Sequence, residues 1–157
     1  MVGAVRPARA SDTGPLSELA LQSKAHWGYD EAFLEACRDE LTVTQKHIDD
    51  GEVWVIDDDS GPAGFYRLGV DGPEADVELL FVRPDAIGSG VGRVLWDHMI
   101  GEAARRGAER LNVDSDPGAE GFYRAMGCRR IGETPSVSIA GRALPHLELR
   151  LPKTANA

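Results

Sequence analysis

The feature that most narrows what this chain can become is a glycine turn, Gly88-Ser89-Gly90-Val91-Gly92, set directly after an apolar run and at the mouth of an amphipathic one. Glycine at alternate positions frees the backbone to take positive φ and keeps side chains out of a ligand's way. The run before it, Val77-Glu78-Leu79-Leu80-Phe81-Val82, reads as a strand that stops at Arg83-Pro84. The run after it carries Val94, Leu95, Met99 and Ile100 at helical spacing. Strand, glycine loop and helix in that order aim the free N–H groups and positive dipole end of the helix at the loop, making an anion cradle largely from main chain. Arg93 adds a full positive charge. The spacing is not GxGxxG, and no Gly-Lys-Ser/Thr completes a Walker loop. Standing alone, such a turn also serves as mere punctuation, so its neighbours decide.

Upstream, residues 2–6 predict a short first strand, and Ser11 and Asp12 offer N-cap chemistry for a helix with Leu16, Leu19, Ala20 and Ser23 on one side, ending near Lys24. His26-Trp27-Gly28-Tyr29 interrupts it, and Asp30 caps a second helix carrying Phe33, Leu34, Cys37 and Leu41. The period changes at Val53: residues 53–56 and 64–68 read as strands joined through the turn formers of Asp57-Asp58-Asp59-Ser60-Gly61-Pro62, a hairpin. Downstream, Gly107 ends the helix after the glycine turn and Arg110-Leu111-Asn112-Val113 returns as a strand. Asp116 then caps a further helix, with Pro117 at its first position and Gly127 past its last turn. Residues 130–132, 137–139 and 147–151 give weaker strand patterns. A mixed sheet with helices packed on it follows, as one domain over residues 1–157.

Seventeen basic against 26 acidic residues give a net charge of -9, which disfavours a nucleic-acid backbone or an anionic membrane as partner and leans toward a neutral or cationic substrate. Cys37 and Cys128 show neither metal-ligand nor CxxC spacing, so reduced core thiols and no metal are expected. No apolar run approaches the roughly 20 residues that span a bilayer, and the N-terminus lacks a signal-peptide core. A soluble, cytoplasmic protein is the expectation.

Taken together, Val82-Arg83-Pro84, the turn through Arg93, the strand to Asn112-Val113 and Ala119-Glu120-Gly121-Phe122-Tyr123-Arg124-Ala125-Met126-Gly127-Cys128 resemble the GNAT superfamily of acetyltransferases in order and spacing, most strongly over residues 77–132. The resemblance implies an α/β (α+β) fold with a mixed, mostly antiparallel twisted sheet and helices on both faces. It also implies a V-shaped splay between the strand at 77–82 and the strand at 109–114. It implies acetyl-CoA as co-substrate, its pyrophosphate on Ile87, Gly88, Ser89, Gly90, Val91, Gly92 and Arg93 and its pantetheine arm paired along Leu80, Phe81 and Val82. Phe122 and Tyr123 lie near the cofactor in the same scheme, and Asp116 stands where relatives touch the arm, though it is equally an N-cap. Ile87 departs from the Arg or Gln usual at its place, which shifts phosphate recognition onto the main chain.

Acyl transfer from a thioester to an amine needs a neutral amine, a donor to polarise the carbonyl and an acid for the departing thiolate. By resemblance Tyr123 is the acid, Glu78 the carboxylate that takes the amine's proton, and the N–H of Phe81 or Val82 the polarising donor. Glu74, Asp76 or a water chain are alternatives to Glu78. His26, Trp27 and Tyr29 stand on the acceptor side in relatives, and read equally as a clasp between two helices. The implied reaction is direct transfer in a ternary complex to a primary amine, on a small molecule or a peptide. The alternative is an acyl-coenzyme A sensor of the same fold without turnover. A homodimer is a further expectation, since relatives often dimerise.

Overall fold

The computed structural model describes residues 2–151. The chain packs as two compact units: residues up to Arg67 with Leu79–His98 form the first, and Leu68–Glu78 with the residues from Met99 onward form the second. Strands β1 (Arg6–Pro7), β2 (Val53–Asp58), β3 (Gly61–Asp71), β4 (Glu74–Val82), β5 (Arg110–Asp114), β6 (Arg129–Pro135) and β7 (Ala143–Arg150) run in the order β1-β2-β3-β4-β5-β7-β6 in a seven-stranded sheet. The β4–β5 pair is parallel, and the β1–β2, β2–β3, β5–β7 and β6–β7 pairs are antiparallel. Five α-helices accompany it among the described residues.

The first unit holds β1 (Arg6–Pro7), α1 (Thr13–His26), α2 (Glu31–Leu41), α3 (Gln45–Asp49), β2 (Val53–Asp58), the start of β3 (Gly61–Asp71), the end of β4 (Glu74–Val82) and the first half of α4 (Val91–Arg105). Its hairpin pairs Val55 with Phe65 and Trp54 with Tyr66, so the two strands present matched rows to opposite faces. Leu16, Leu19, Cys37, Val55, Phe65 and Leu95 are buried here; each large apolar side chain so placed contributes roughly 1.5–3 kcal/mol. Asp30 caps α2 as its position predicts, its carboxylate accepting the Phe33 N–H at 2.8 Å. Arg83 does more than end a strand. Its N–H donates to the Ala63 carbonyl at 2.7 Å and its guanidinium to the Pro62 carbonyl at 3.0 Å, while Asp58 and Asp85 neutralise it, so the end of β4 is clamped to the β2–β3 turn.

The second unit holds the rest of β3, β4 and α4, then β5 (Arg110–Asp114), α5 (Glu120–Ala125), β6 (Arg129–Pro135) and β7 (Ala143–Arg150). The β4–β5 register runs from Glu74↔Arg110 to Val77↔Val113, after which β4 continues to Val82. Ala75, Val77, Leu111, Val113 and Leu147 are buried, and the residues between them along the strands face the other way. Cys37 and Cys128 are buried, one in each unit, and neither forms a disulfide; burial pushes the Cys128 thiol up to about 11.

Several sequence-based expectations need correction. The strand expected at residues 2–6 is only Arg6–Pro7, though the Gly3 N–H still reaches the Asp57 carbonyl at 2.8 Å. Asp12 does not cap α1 with its side chain; it is buried and accepts the Arg9 N–H at 2.7 Å and the Arg6 guanidinium at 2.8 Å. α1 runs past Lys24 to His26. α3 was not anticipated. Val94 is 45% exposed; α4 buries Leu95 and Met99 as expected, with Val91 and Trp96 in addition. Residues 137–139 form no strand: Ser136 Oγ accepts the N–H groups of Ser138 at 3.3 Å and Ile139 at 3.1 Å, closing a turn in place of a ladder. Among the described residues no helix is long and apolar enough to cross a membrane.

Candidate active site

The glycine turn and the end of β4 both lie in the first unit. Gly88 and Gly90 hold φ of 85° and 93°, the left-handed region that a Cβ disfavours. A Cβ built on either would meet nothing within 4 Å, so the turn opens onto free space where an anion can come close to main chain. The Ser89 N–H and hydroxyl both donate to the Ala86 carbonyl, the former at 3.1 Å, so Ser89 braces the turn from behind. The first helical bond of α4 runs from the Val94 N–H to the Gly90 carbonyl at 3.1 Å, and a helix offers its preceding N–H groups, here those of Val91, Gly92 and Arg93, no internal acceptor. The Arg93 side chain is two-thirds exposed, its Nε 3.6 Å from Asp97. Ile87 is 44% exposed and apolar, so it supplies no charge to an anion. These residues fit a diphosphate through the helix start, with Arg93 as the charge at hand. Leu80, Phe81 and Val82 are half-buried along β4, with the Phe81 ring 6.1 Å from that of Phe65.

The aromatic elbow of the first unit divides in two. His26 and Trp27 meet edge to face at 5.4 Å, with Trp27 48% exposed, whereas Tyr29 stacks on Phe33 at 4.0 Å beneath the Lys24 ammonium, 5.5 Å above the Tyr29 ring. Tyr29 therefore braces the start of α2, and His26 and Trp27 are the exposed pair.

In the second unit Tyr123 sits on α5, 6% exposed. Burial, and then the neighbouring Cys128 and Asp116, push its phenol above the ordinary tyrosine value, so it stays protonated and remains a hydrogen-bond donor. Its carbonyl accepts the Cys128 N–H at 3.0 Å, and the Phe122 ring lies edge-on at 5.4 Å. Asp116 serves the fold: it accepts the Gly118 N–H at 2.8 Å and pairs with Arg142 at 3.4 Å, tying the β6–β7 connection to the start of α5.

Glu78 occupies the polar row of β4 and lies across Gly69 of β3, where a Cβ would meet its Oε1 at 3.4 Å. The same row carries Glu74 and Asp76, and register places Asp76 beside Asn112, and Asp114 beside His146. The Asn112 amide donates to Glu74 at 3.0 Å, and His146 Nδ1 lies 2.6 Å from Asp114. Asp76 is exposed as a residue, yet partial withdrawal of its carboxylate from water, with Glu74 and Asp114 close by, raises its carboxyl above the usual aspartate range against the pull of the Asn112 amide. Asp114 and His146 escaped the sequence reading because only strand register brings them to this row. Among the described residues no group of His, Cys, Asp and Glu is arranged to hold a metal ion.

A glycine-opened helix start beside the end of a strand, in a mixed sheet accompanied by helices, is the arrangement of a coenzyme A-dependent acyltransferase. The chain matches the acetyltransferase (GNAT) domain over residues 13–141 and belongs to that family of N-acetyltransferases. It is 31% identical over 108 residues to the peptidyl-lysine N-acetyltransferase YjaB of Escherichia coli K12, covering 68% of this chain and 69% of that one. The YjaB of Salmonella typhimurium is 30% identical over 106 residues, 67% and 68% of the two chains. Among solved structures, a GCN5-related N-acetyltransferase from Rhodopseudomonas palustris superposes with a TM-score of 0.77 at 26% identity, covering 94% of this chain and 95% of that one. PaiA N-acetyltransferase of Thermoplasma acidophilum, solved with coenzyme A, shares the fold with a TM-score of 0.74 at 16% identity, over 96% and 99% of the chains.

Proposed function

We propose that this protein transfers the acetyl group of acetyl-coenzyme A directly to a primary amine, and that the acceptor is a lysine side chain of a peptide or protein. The observation that carries the reading is the Gly88–Gly90 turn, open to solvent and leading into the N–H groups at the start of α4. Those groups and Arg93 hold the diphosphate, and the main chain of Leu80, Phe81 and Val82 receives the pantetheine arm. The acyl donor supplies an activated thioester, and the residues of this chain do the rest. A main-chain N–H of Phe81 or Val82 polarises the carbonyl. Glu78, or a water it orients, takes the proton of the attacking amine as the C–N bond forms. As the C–S bond breaks and its electron pair passes to sulfur, the Tyr123 hydroxyl hydrogen-bonds to that sulfur, leaving an amide and a thiolate that takes its proton from water.

The lysine acceptor is supported by the names of the YjaB relatives and by the row of Glu74, Asp76, Glu78 and Asp114, which favours a cation approaching β4. The test is thiol release from acetyl-coenzyme A over lysine peptides of varied charge, free lysine, polyamines and amino acids. Acceptor-dependent release that is fastest with a lysine peptide is the expected result. Tight coenzyme A binding with no release across the panel would turn the reading to a non-catalytic sensor, and absence of binding would end both.

A further inference from the structure

We infer that Gly64 is a positioning residue for coenzyme A: the missing side chain at this point of β3 sets the separation between the end of β4 and the first turn of α4. The inference rests on the reading above, in which those two elements hold the pantetheine arm and the diphosphate. Gly64 is not among the glycines with positive φ, so its backbone does not require glycine; its surroundings do. A Cβ there would stand 2.9 Å from Leu95 Cδ1, 3.0 Å from the Phe81 carbonyl oxygen and 3.0 Å from Val91 Cγ1. Phe81 belongs to the strand assigned to the arm and Val91 to the turn assigned to the phosphates, so this one point of β3 touches both halves of the cofactor seat.

Which neighbour gives way follows from how each is held. The Phe81 oxygen is main chain, and two residues on Arg83 is clamped to Ala63, Pro62, Asp58 and Asp85, so β4 does not retreat. Further along α4, His98 Nδ1 is bonded to Tyr66 Oη at 2.8 Å, which ties that part of the helix to β3. Val91 and Leu95 are 2% and 0% exposed, and a close-packed interior leaves them no slack. An added methyl therefore lifts the first turn of α4 about the His98 tether, carrying the phosphate-facing N–H groups away from an unmoved β4.

The test compares acetyl-coenzyme A with S-acetyl-pantetheine, which lacks the diphosphate, as donors for the wild type, Gly64→Ala and Gly64→Ala with Leu95→Val, the last retracting the nearest side-chain atom. Folding is checked by thermal melting. In Gly64→Ala the ratio of kcat/KM for the two donors is expected to fall about tenfold, as contacts worth one decade of affinity are lost from the diphosphate alone, and the double variant regains part of it. A folded Gly64→Ala with an unchanged ratio, or with both donors impaired equally, overturns the inference. Failure of both variants to fold overturns it too, since the glycine then serves the core alone. A wild type with no preference for acetyl-coenzyme A over S-acetyl-pantetheine would instead remove the phosphate assignment itself.

Discussion

Arg6 Nη1 lies 2.8 Å from Asp12 Oδ2, and the same guanidinium reaches Asp57 Oδ2 with its Nε at 2.7 Å, so one side chain of β1 joins the start of α1 to β2. Hydrogen bonding to Arg6 is the largest influence on Asp12 and holds its carboxyl below the ordinary aspartate value despite burial. The sign follows: a carboxyl lowered in the folded state contributes stability that is fully present above the unfolded value, about 3.9, and is lost as pH falls through the folded value. Urea midpoints measured from pH 6 downward should therefore drop below about pH 4, and Asp12→Asn should start less stable but fall less steeply over that window. Arg6→Met leaves buried Asp12 with the Arg9 N–H and Asp57 with water, and should cost about 1.5–3 kcal/mol, the worth of the hydrogen bonds lost to a charged group.

Gly90 takes φ of 93° in open space, so a side chain there faces backbone strain and also occupies the room assigned to the phosphates. Gly90→Ala should destabilise the fold by about 1–2 kcal/mol, the cost of left-handed backbone for an L-residue. It should raise the KM for acetyl-coenzyme A with little change in the acceptor's KM, and Gly90→Val should abolish cofactor binding. Calorimetric titration with coenzyme A checks both, and an unchanged affinity for Gly90→Val would contradict the placement of the phosphates.

The glycine turn, the hairpin and the Asp30 cap were legible because each depends on residues within a few positions of one another. What stayed hidden depends on partners far along the chain. Gly64 looks like any strand glycine until Leu95, Val91 and Phe81 are seen crowding it. Val137 and Ile139 favour a strand by type, but Ser136 offers a competing hydrogen-bond pattern that wins. At five residues α3 is too short to display a period, and Thr44, accepting the His47 N–H at 3.3 Å, marks it only in retrospect. The alternation of polar residues along β4, β5 and β7 is visible strand by strand, yet only register joins Asp76 to Asn112 and Asp114 to His146.

Asp76 and Glu78 lie on the same row of β4 and should separate in kinetics. Glu78→Gln should lower kcat by a factor of about 10² or more, the usual worth of general-base catalysis, with the KM for acetyl-coenzyme A retained. Asp76→Asn should act on binding instead, raising the KM of a cationic acceptor about threefold at low salt, an exposed-charge effect of under 1 kcal/mol that added salt erases. Because the Asp76 carboxyl is raised, it loses its charge at a higher pH than an ordinary aspartate. The acceptor KM of the wild type should accordingly start to climb, as pH falls, before the normal aspartate range is reached, and that early climb should be absent in Asp76→Asn.

Tyr123 gives the sharpest test of the chemistry. Burial raises its phenol above the ordinary tyrosine value near 10, so it is neutral throughout the pH range of any practical assay. A neutral phenol with so high a pKa is a strong enough donor to stabilise the developing thiolate by a hydrogen bond but a reluctant source of a whole proton. Removing the hydroxyl should then cost one hydrogen bond to a charged group, about 1.5–3 kcal/mol in the transition state, which is roughly a 10- to 100-fold loss of kcat. The shape of the pH profile should not change, since no titration of Tyr123 contributes to it. Tyr123→Phe assayed from pH 6 to 10 measures both quantities. A fall in kcat with an unaltered profile supports donation by hydrogen bonding, a lost alkaline limb would indicate a phenol that titrates within the assay range, and an unchanged kcat would remove Tyr123 from the mechanism.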